Sequence, residues 1–207
     1  KELSKELSNT TKLLIDTGCS IAWLMQSLEV PKSVRVFHDC NNTAMGWSIP
    51  AGIGAYFATN AKSPITVVTG DGSFMMTSYE LATIMHHEIP IKIFVINNQG
   101  YSMIQQTQDQ WLDSKYIASS KDGGISFPSY NEIAKAYGID YVEISSTTEC
   151  SKISSIMSSE KAVICNVKVD EDFRVVPQVV FGKPNEDMGP LLPRDIFIEN
   201  MLVEPID

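Results

Sequence analysis

Ile65-Thr66-Val67-Val68-Thr69-Gly70-Asp71-Gly72-Ser73 is an apolar, β-branched run that stops at an aspartate bracketed by glycines. Ile91-Lys92-Ile93-Phe94-Val95-Ile96-Asn97-Asn98-Gln99-Gly100-Tyr101 repeats the plan, an apolar run ending on amides and a glycine. Short continuous apolar runs of this kind suit strands buried on both faces, as in a parallel sheet under two helical layers. Residues 73 to 96 leave a 24-residue gap between the two motifs, room for one helix and one strand. The two runs are therefore expected as neighbouring parallel strands, with Asp71 and Asn98 side by side at one sheet edge.

Outward from this pair the same alternation continues. Further strands are expected at Lys12–Ile15, Val34–Phe37, Asp140–Ile144 and Ala162–Val169, with the central ones at Ile65–Thr69 and Ile91–Ile96. Helix-period stretches fall near Ile21–Leu28, Met45–Thr59, Ser78–His87, Ile133–Tyr137 and Thr148–Ser159. Ser129 with Glu132 three residues on forms a capping box, and Gly138 supplies a helix stop. The fold class expected is α/β: a doubly wound, mainly parallel sheet flanked by helices. Residues 1–174 read as one catalytic domain. Residues 175–207 carry five prolines in 33 residues with little periodicity, and read as an extended tail lying over the domain or over a partner.

Composition narrows the function. With 207 residues, 43% of them hydrophobic, the chain can bury a full core. A formal charge of -9 argues against a nucleic-acid surface or an anionic membrane, since broad phosphate binding needs clustered Lys and Arg. Any phosphate must be held locally, by backbone N–H groups and a metal ion. Cys19, Cys40, Cys150 and Cys165 form no C-x-x-C pair and have no His at ligand spacing, so they read as reduced thiols and not as a zinc or iron–sulfur site. No apolar run approaches 18 residues, and Lys1 to Leu7 has the pattern of an amphipathic helix, not a signal peptide. A cytoplasmic location is expected.

Gly70-Asp71-Gly72 at a strand end is where an α/β sheet places ligands, and glycines let the backbone approach a diphosphate closely. A carboxylate from Asp71, an amide oxygen from Asn98 and a nearby backbone carbonyl are hard oxygen ligands. With two diphosphate oxygens and a water they complete the octahedral shell Mg²⁺ demands. Read singly, Gly-Asp-Gly is a turn and Asn-Asn a loop; it is the ordered pair at this spacing that points to a metal-held diphosphate.

The pair resembles the thiamine-diphosphate signature. Asp71 and Asn98 then look like Mg²⁺ ligands and the Gly100 carbonyl like the third. Ala44-Met45-Gly46-Trp47-Ser48-Ile49-Pro50-Ala51-Gly52-Ile53-Gly54-Ala55 is similar to the acetolactate synthase segment whose methionine wedges under the bent cofactor, a role that falls to Met45. The likeness runs on through Glu80-Leu81-Ala82-Thr83 and Glu186-Asp187-Met188-Gly189-Pro190-Leu191-Leu192-Pro193-Arg194. It implies that Gly18, Ser20, Thr43, Gly70, Gly72, Ser73 and Tyr101 also contact the cofactor, and that Met103 lines the substrate pocket. Two departures stand out. Where the synthases carry Gln-His after Asp16-Thr17-Gly18, this chain has Cys19-Ser20, so Ser20 is expected to replace one phosphate hydrogen bond. Thr107 stands where acetohydroxyacid synthases carry a Trp that shapes acceptor choice.

The resemblance implies decarboxylation of a 2-oxoacid such as pyruvate and carboligation to an acceptor carbonyl. It also implies a pyrimidine-binding domain or subunit that supplies an activating Glu, and a homo-oligomer. No segment here matches that domain, so the sequence reads as a fragment or as one subunit of a split enzyme. A sugar-modifying carboligase of polysaccharide biosynthesis, a split sulfopyruvate- or phosphonopyruvate-type decarboxylase, and a binding module that keeps the metal site are the rival readings. His38, His86 and His87 are alternative acid–base groups, although His86-His87 at a helix end suits a dipole partner. Trp23, Trp47 and Trp111 read as packing or interface residues.

Overall fold

The computed structural model describes residues 1–205. Six strands, β1 (Lys12–Ile15), β2 (Arg35–Phe37), β3 (Ile65–Gly70), β4 (Lys92–Asn97), β5 (Asp140–Ile144) and β6 (Val163–Lys168), form one sheet in the order β2-β1-β3-β4-β6-β5. Every pairing is parallel. The expected strands are all present, with ends shifted by at most a residue or so.

Side chains alternate across the sheet, as the pleat requires. Leu14, Val67, Ile93 and Val95 face a layer built by α3 (Ser48–Ala58), α4 (Asp71–Met76), α5 (Leu81–His86) and α7 (Tyr130–Tyr137). Leu13, Ile15, Val68 and Phe94 face the opposite layer of α1 (Glu2–Glu6), α2 (Cys19–Ser27) and α8 (Lys152–Ser158). Two apolar layers explain why β3 and β4 read as continuous hydrophobic runs. Among the described residues no helix is long and apolar enough to cross a membrane.

The expected cap is present: Ser129 Oγ accepts from the Glu132 N–H at 3.3 Å, and Gly138 takes the left-handed conformation. Four local expectations are corrected. Helix α3 begins at Ser48, which leaves Met45 on the preceding loop. The gap between the two motifs holds two α-helices, α4 and α5, joined by a 3₁₀ turn, because α4 starts at Asp71 itself. Residues after Asn98 form an unexpected helix, α6 (Ser102–Trp111), and the tail contains another, α9 (Arg194–Asn200), so it is not wholly extended.

The connection from β1 leaves toward β2 on one side, and that from β3 leaves toward β4 on the other. This reversal opens a crevice at the carboxyl ends of β1 and β3, where α/β sheets bind ligands.

Candidate functional site

A cleft of about 320 Å³ lies at that crevice, within the size range of small-molecule sites. The β1 end contributes Gly18 and Ser20, and the loop before α3 contributes Thr43 and Met45. The β3 end contributes Gly70, Asp71, Gly72 and Ser73, and the β4 end Asn98, Gly100, Tyr101 and Met103. All the site residues expected from the sequence thus meet around one cavity. Thr107 is exposed, one turn beyond Met103, and its hydroxyl donates to the Met103 carbonyl at 3.1 Å.

Asp71 is the sole carboxylate on the cleft wall among the described residues, and it is 2% exposed. Its Oδ1 accepts from the Gly72 N–H at 2.7 Å and its Oδ2 from the Gly100 N–H at 3.1 Å, which ties the β3 end to the β4 end. Burial pushes its pKa up to about 6, and the backbone N–H groups only partly oppose that. The Asn98 side-chain nitrogen donates to Ser102 Oγ, which leaves the amide oxygen as the free acceptor of that side chain. No cluster of three or more His, Cys, Asp or Glu able to hold a metal exists among the described residues. A cation here would depend on one carboxylate, an amide oxygen, a carbonyl and the ligand's own oxygens. That donor set fits Mg²⁺ bound to a diphosphate and fits poorly a free transition metal.

Backbone approach explains the glycines. A Cβ on Gly72 would lie 2.2 Å from Tyr101 Cε1 and 2.9 Å from Met45 Cε, so only glycine lets these two side chains close over the β3 end. Gly18, at φ 88° and ψ -157°, occupies a region essentially reserved for glycine just before α2 begins. Thr43, at φ 51°, is a β-branched residue held in the left-handed region beside the site.

Asp16, quoted above only as part of a motif, organises the loop that carries Met45. It is fully buried at the end of β1. Its Oδ1 accepts from the N–H groups of Thr17 at 3.0 Å and Gly46 at 3.1 Å, and its Oδ2 from that of Ser48 at 2.9 Å. Ser20 Oγ donates to the Thr17 carbonyl at 3.1 Å. Cys19 sits at the first turn of α2, where the helix dipole favours a thiolate, but burial wins and pushes its pKa up to about 11. It lines the cleft as a neutral thiol.

Trp23, expected as a packing or interface residue, also lines the cleft. Trp47 packs against the core, and Trp111 packs on Phe181 with ring centroids 4.2 Å apart and planes tilted by 54°. His86 packs on His87 and His87 on Phe57, away from the cleft wall, and His38 bonds the Ile15 carbonyl at 2.9 Å. None of the three lines the cleft.

The family model for the thiamine pyrophosphate enzyme, C-terminal TPP binding domain, matches residues 16–167. The chain belongs to this family. As a TPP-binding domain it is similar to acetolactate synthase large subunits. It is 34% identical to that of Cyanidium caldarium over 84% of this chain and 29% of the relative. With the Lactococcus lactis large subunit the identity is 28% over 85% and 30%. With the isozyme 2 large subunit of Escherichia coli it is 26% over 91% and 34%. The TPP-binding domain therefore spans about a third of the length of these relatives. The matched segment opens at Asp16 and closes within β6, so it encloses every wall of the cleft.

Proposed function

We propose that this TPP-binding domain holds thiamine diphosphate through Mg²⁺ and serves an acetolactate synthase-like enzyme that decarboxylates pyruvate or a related 2-oxoacid and joins the product to an acceptor carbonyl. The observation that carries the reading is the meeting of Asp71, Asn98 and Gly100 at the edges of β3 and β4, over a glycine-lined crevice with no other carboxylate among the described residues. Asp71, the Asn98 amide oxygen and the Gly100 carbonyl would hold the metal, and Gly70, Gly72 and Ser73 would leave room for the diphosphate. When bound, thiamine diphosphate supplies the carbon nucleophile that adds to the 2-oxoacid carbonyl and makes loss of CO₂ feasible.

The chain's own contributions are positional. Met45, fixed by the Asp16 network, provides an apolar prop against which the cofactor would bend. Tyr101 covers Gly72, and Ser20 is offered to a phosphate oxygen once its hydroxyl turns from the Thr17 carbonyl. Met103 and Ile104 form the apolar side of the substrate space. With Thr107 in place of a Trp, the acceptor would not be restricted as in acetohydroxyacid synthases, and 2-ketobutyrate is not expected to be preferred.

Among the described residues no carboxylate of the cleft would be left to work on the pyrimidine ring, because Asp71 would be committed to the metal. That Glu would come from a pyrimidine-binding domain or subunit. Met45, Met76, Met103 and Ile104, all exposed, offer an apolar surface that such a partner would cover. A cytoplasmic homo-oligomer suits this reading, as do the four free cysteines.

Calorimetric titration tests the assignment. Thiamine diphosphate is expected to bind with Mg²⁺ present and not in excess chelator, and Asp71→Ala is expected to abolish binding. Equal binding with and without the cation would exclude the metal-held arrangement.

A further inference from the structure

Beyond β6 the chain runs between the two helices that flank the cleft, and each reaches out to it with side chains. From α2, Trp23 Nε1 donates to the Arg174 carbonyl at 3.3 Å, and its ring packs on Phe173 with centroids 5.2 Å apart. Gln26 Nε2 adds a bond to the Val176 carbonyl at 3.0 Å. From α6, Gln106 reads the backbone of one residue: its Oε1 accepts from the Val175 N–H at 2.9 Å and its Nε2 donates to the Val175 carbonyl at 3.4 Å, while Nε2 also donates to Gln178 Oε1. Asp109 accepts from Arg174 Nε at 2.9 Å, and the guanidinium also bonds the Tyr116 hydroxyl.

These contacts are more than a generic docked tail. Gln106 is 7% exposed, and a buried amide with both ends matched to the N–H and C=O of one residue is a specific tether, costly to leave unpaired. The tethered helices begin in the cleft: Cys19 and Ser20 open α2, and Ser102, Met103 and Ile104 open α6. Trp23 belongs to both sets, lining the cleft while its N–H is held by Arg174.

We propose that residues 173–178 act as a strap that fixes α2 against α6, and that Gln106 and Trp23 are positioning residues through which the strap sets the wall of the cleft. The inference rests on the cofactor reading only for the identity of the ligand. Among the described residues, no hydrogen bond of the strap reaches a residue assigned to the metal or the diphosphate, so its influence would pass through Trp23 and the start of α6.

Hydrogen–deuterium exchange on the chain, alone and with thiamine diphosphate plus Mg²⁺, tests this with Gln106→Met, which keeps side-chain length but removes all three bonds to the strap. The expected result is at least tenfold faster exchange at Val175, faster exchange in α2, to which Gln106 makes no hydrogen bond, and a Kd for thiamine diphosphate weakened about tenfold. Trp23→Phe keeps an aromatic ring against Phe173 and serves if Gln106→Met fails to fold; it is expected to loosen Val175 and α2 together. A loosened Val175 with α2 exchange and Kd unchanged would reduce the strap to a local tether and overturn the proposal, as would no loosening at Val175. If the unaltered chain binds no thiamine diphosphate, the cofactor reading falls, while the exchange of α2 still decides the coupling.

Discussion

Replacing Asp16 by alanine isolates what holds the Met45 loop. The carboxylate is fully buried and accepts three backbone N–H groups, of which those of Gly46 and Ser48 arrive from 30 and 32 residues away. Hydrogen bonds to charged groups contribute about 1.5–3 kcal/mol each, so the two long-range bonds together come to about 3–6 kcal/mol. Removing a buried charge relieves desolvation and acts in the opposite direction, which places the expected loss near the lower end, about 3 kcal/mol. Against a total stability of about 5–15 kcal/mol this is large. Asp16→Asn keeps one carbonyl oxygen but sets an NH₂ group against a backbone N–H, and should lose roughly half as much. Urea unfolding followed by circular dichroism measures both losses, and limited proteolysis reports the 43–47 loop. A loss under about 1 kcal/mol for Asp16→Ala, with the loop still protected, would refute the account of the carboxylate as its anchor.

Phe74 is fully buried on α4 and meets Tyr130 edge-on at 5.3 Å, so Phe74→Ala is expected to cost about 3–5 kcal/mol in chemical denaturation and to weaken cofactor binding by loosening the helix that begins at Asp71. Burial lowers the Lys92 pKa to about 8, even though its ammonium donates to the Pro90 and Lys161 carbonyls. Between pH 8 and the ordinary lysine range the unfolded chain holds the proton that the folded chain has released, so stability rises with pH there. The expected gain, up to about 3 kcal/mol, should vanish in Lys92→Met when unfolding is compared across that window. The isolated chain should release CO₂ from pyruvate at a rate lower by at least ~10²–10⁴ than when a pyrimidine-binding domain is added in trans, the typical contribution of a positioned acid–base group. Coupled assay of CO₂ release checks this, and turnover by the chain alone at the reconstituted rate would mean that the missing carboxylate lies within it.

Where burial is apolar, the sequence is informative: β3 and β4 read as strands because Val67, Val68, Ile93 and Phe94 are covered from both sides. Helix α6 escaped because its buried face is Ser102, Gln105, Gln106 and Gln108, which serve loop and tail backbone and carry no hydrophobic period. Gln105 Nε2, for instance, donates to the Ser119 carbonyl at 2.7 Å. Helix α9 is hidden by the prolines around it, with only Phe197 buried. The site residues that end strands were legible through Gly-Asp-Gly and Asn-Asn. Asp16 was not, since a single aspartate at a strand end gives no hint of acceptors needed thirty residues later. Trp23 was half legible: a Trp on an amphipathic helix suggests packing, and only the fold shows that one edge of it meets the cleft.

The sheet's outer strands set how copies of this chain can meet. One border, β2, is three residues long and carries Arg35; the other, β5, carries Asp140 and Glu143, and Glu143 pairs with Lys168 at 2.9 Å. Short or charged borders discourage strand-to-strand growth. Neither flank offers a ready template for β-extension, so any association of two copies would fall to other surfaces, and a destabilised chain lacks the simplest route to ordered aggregation.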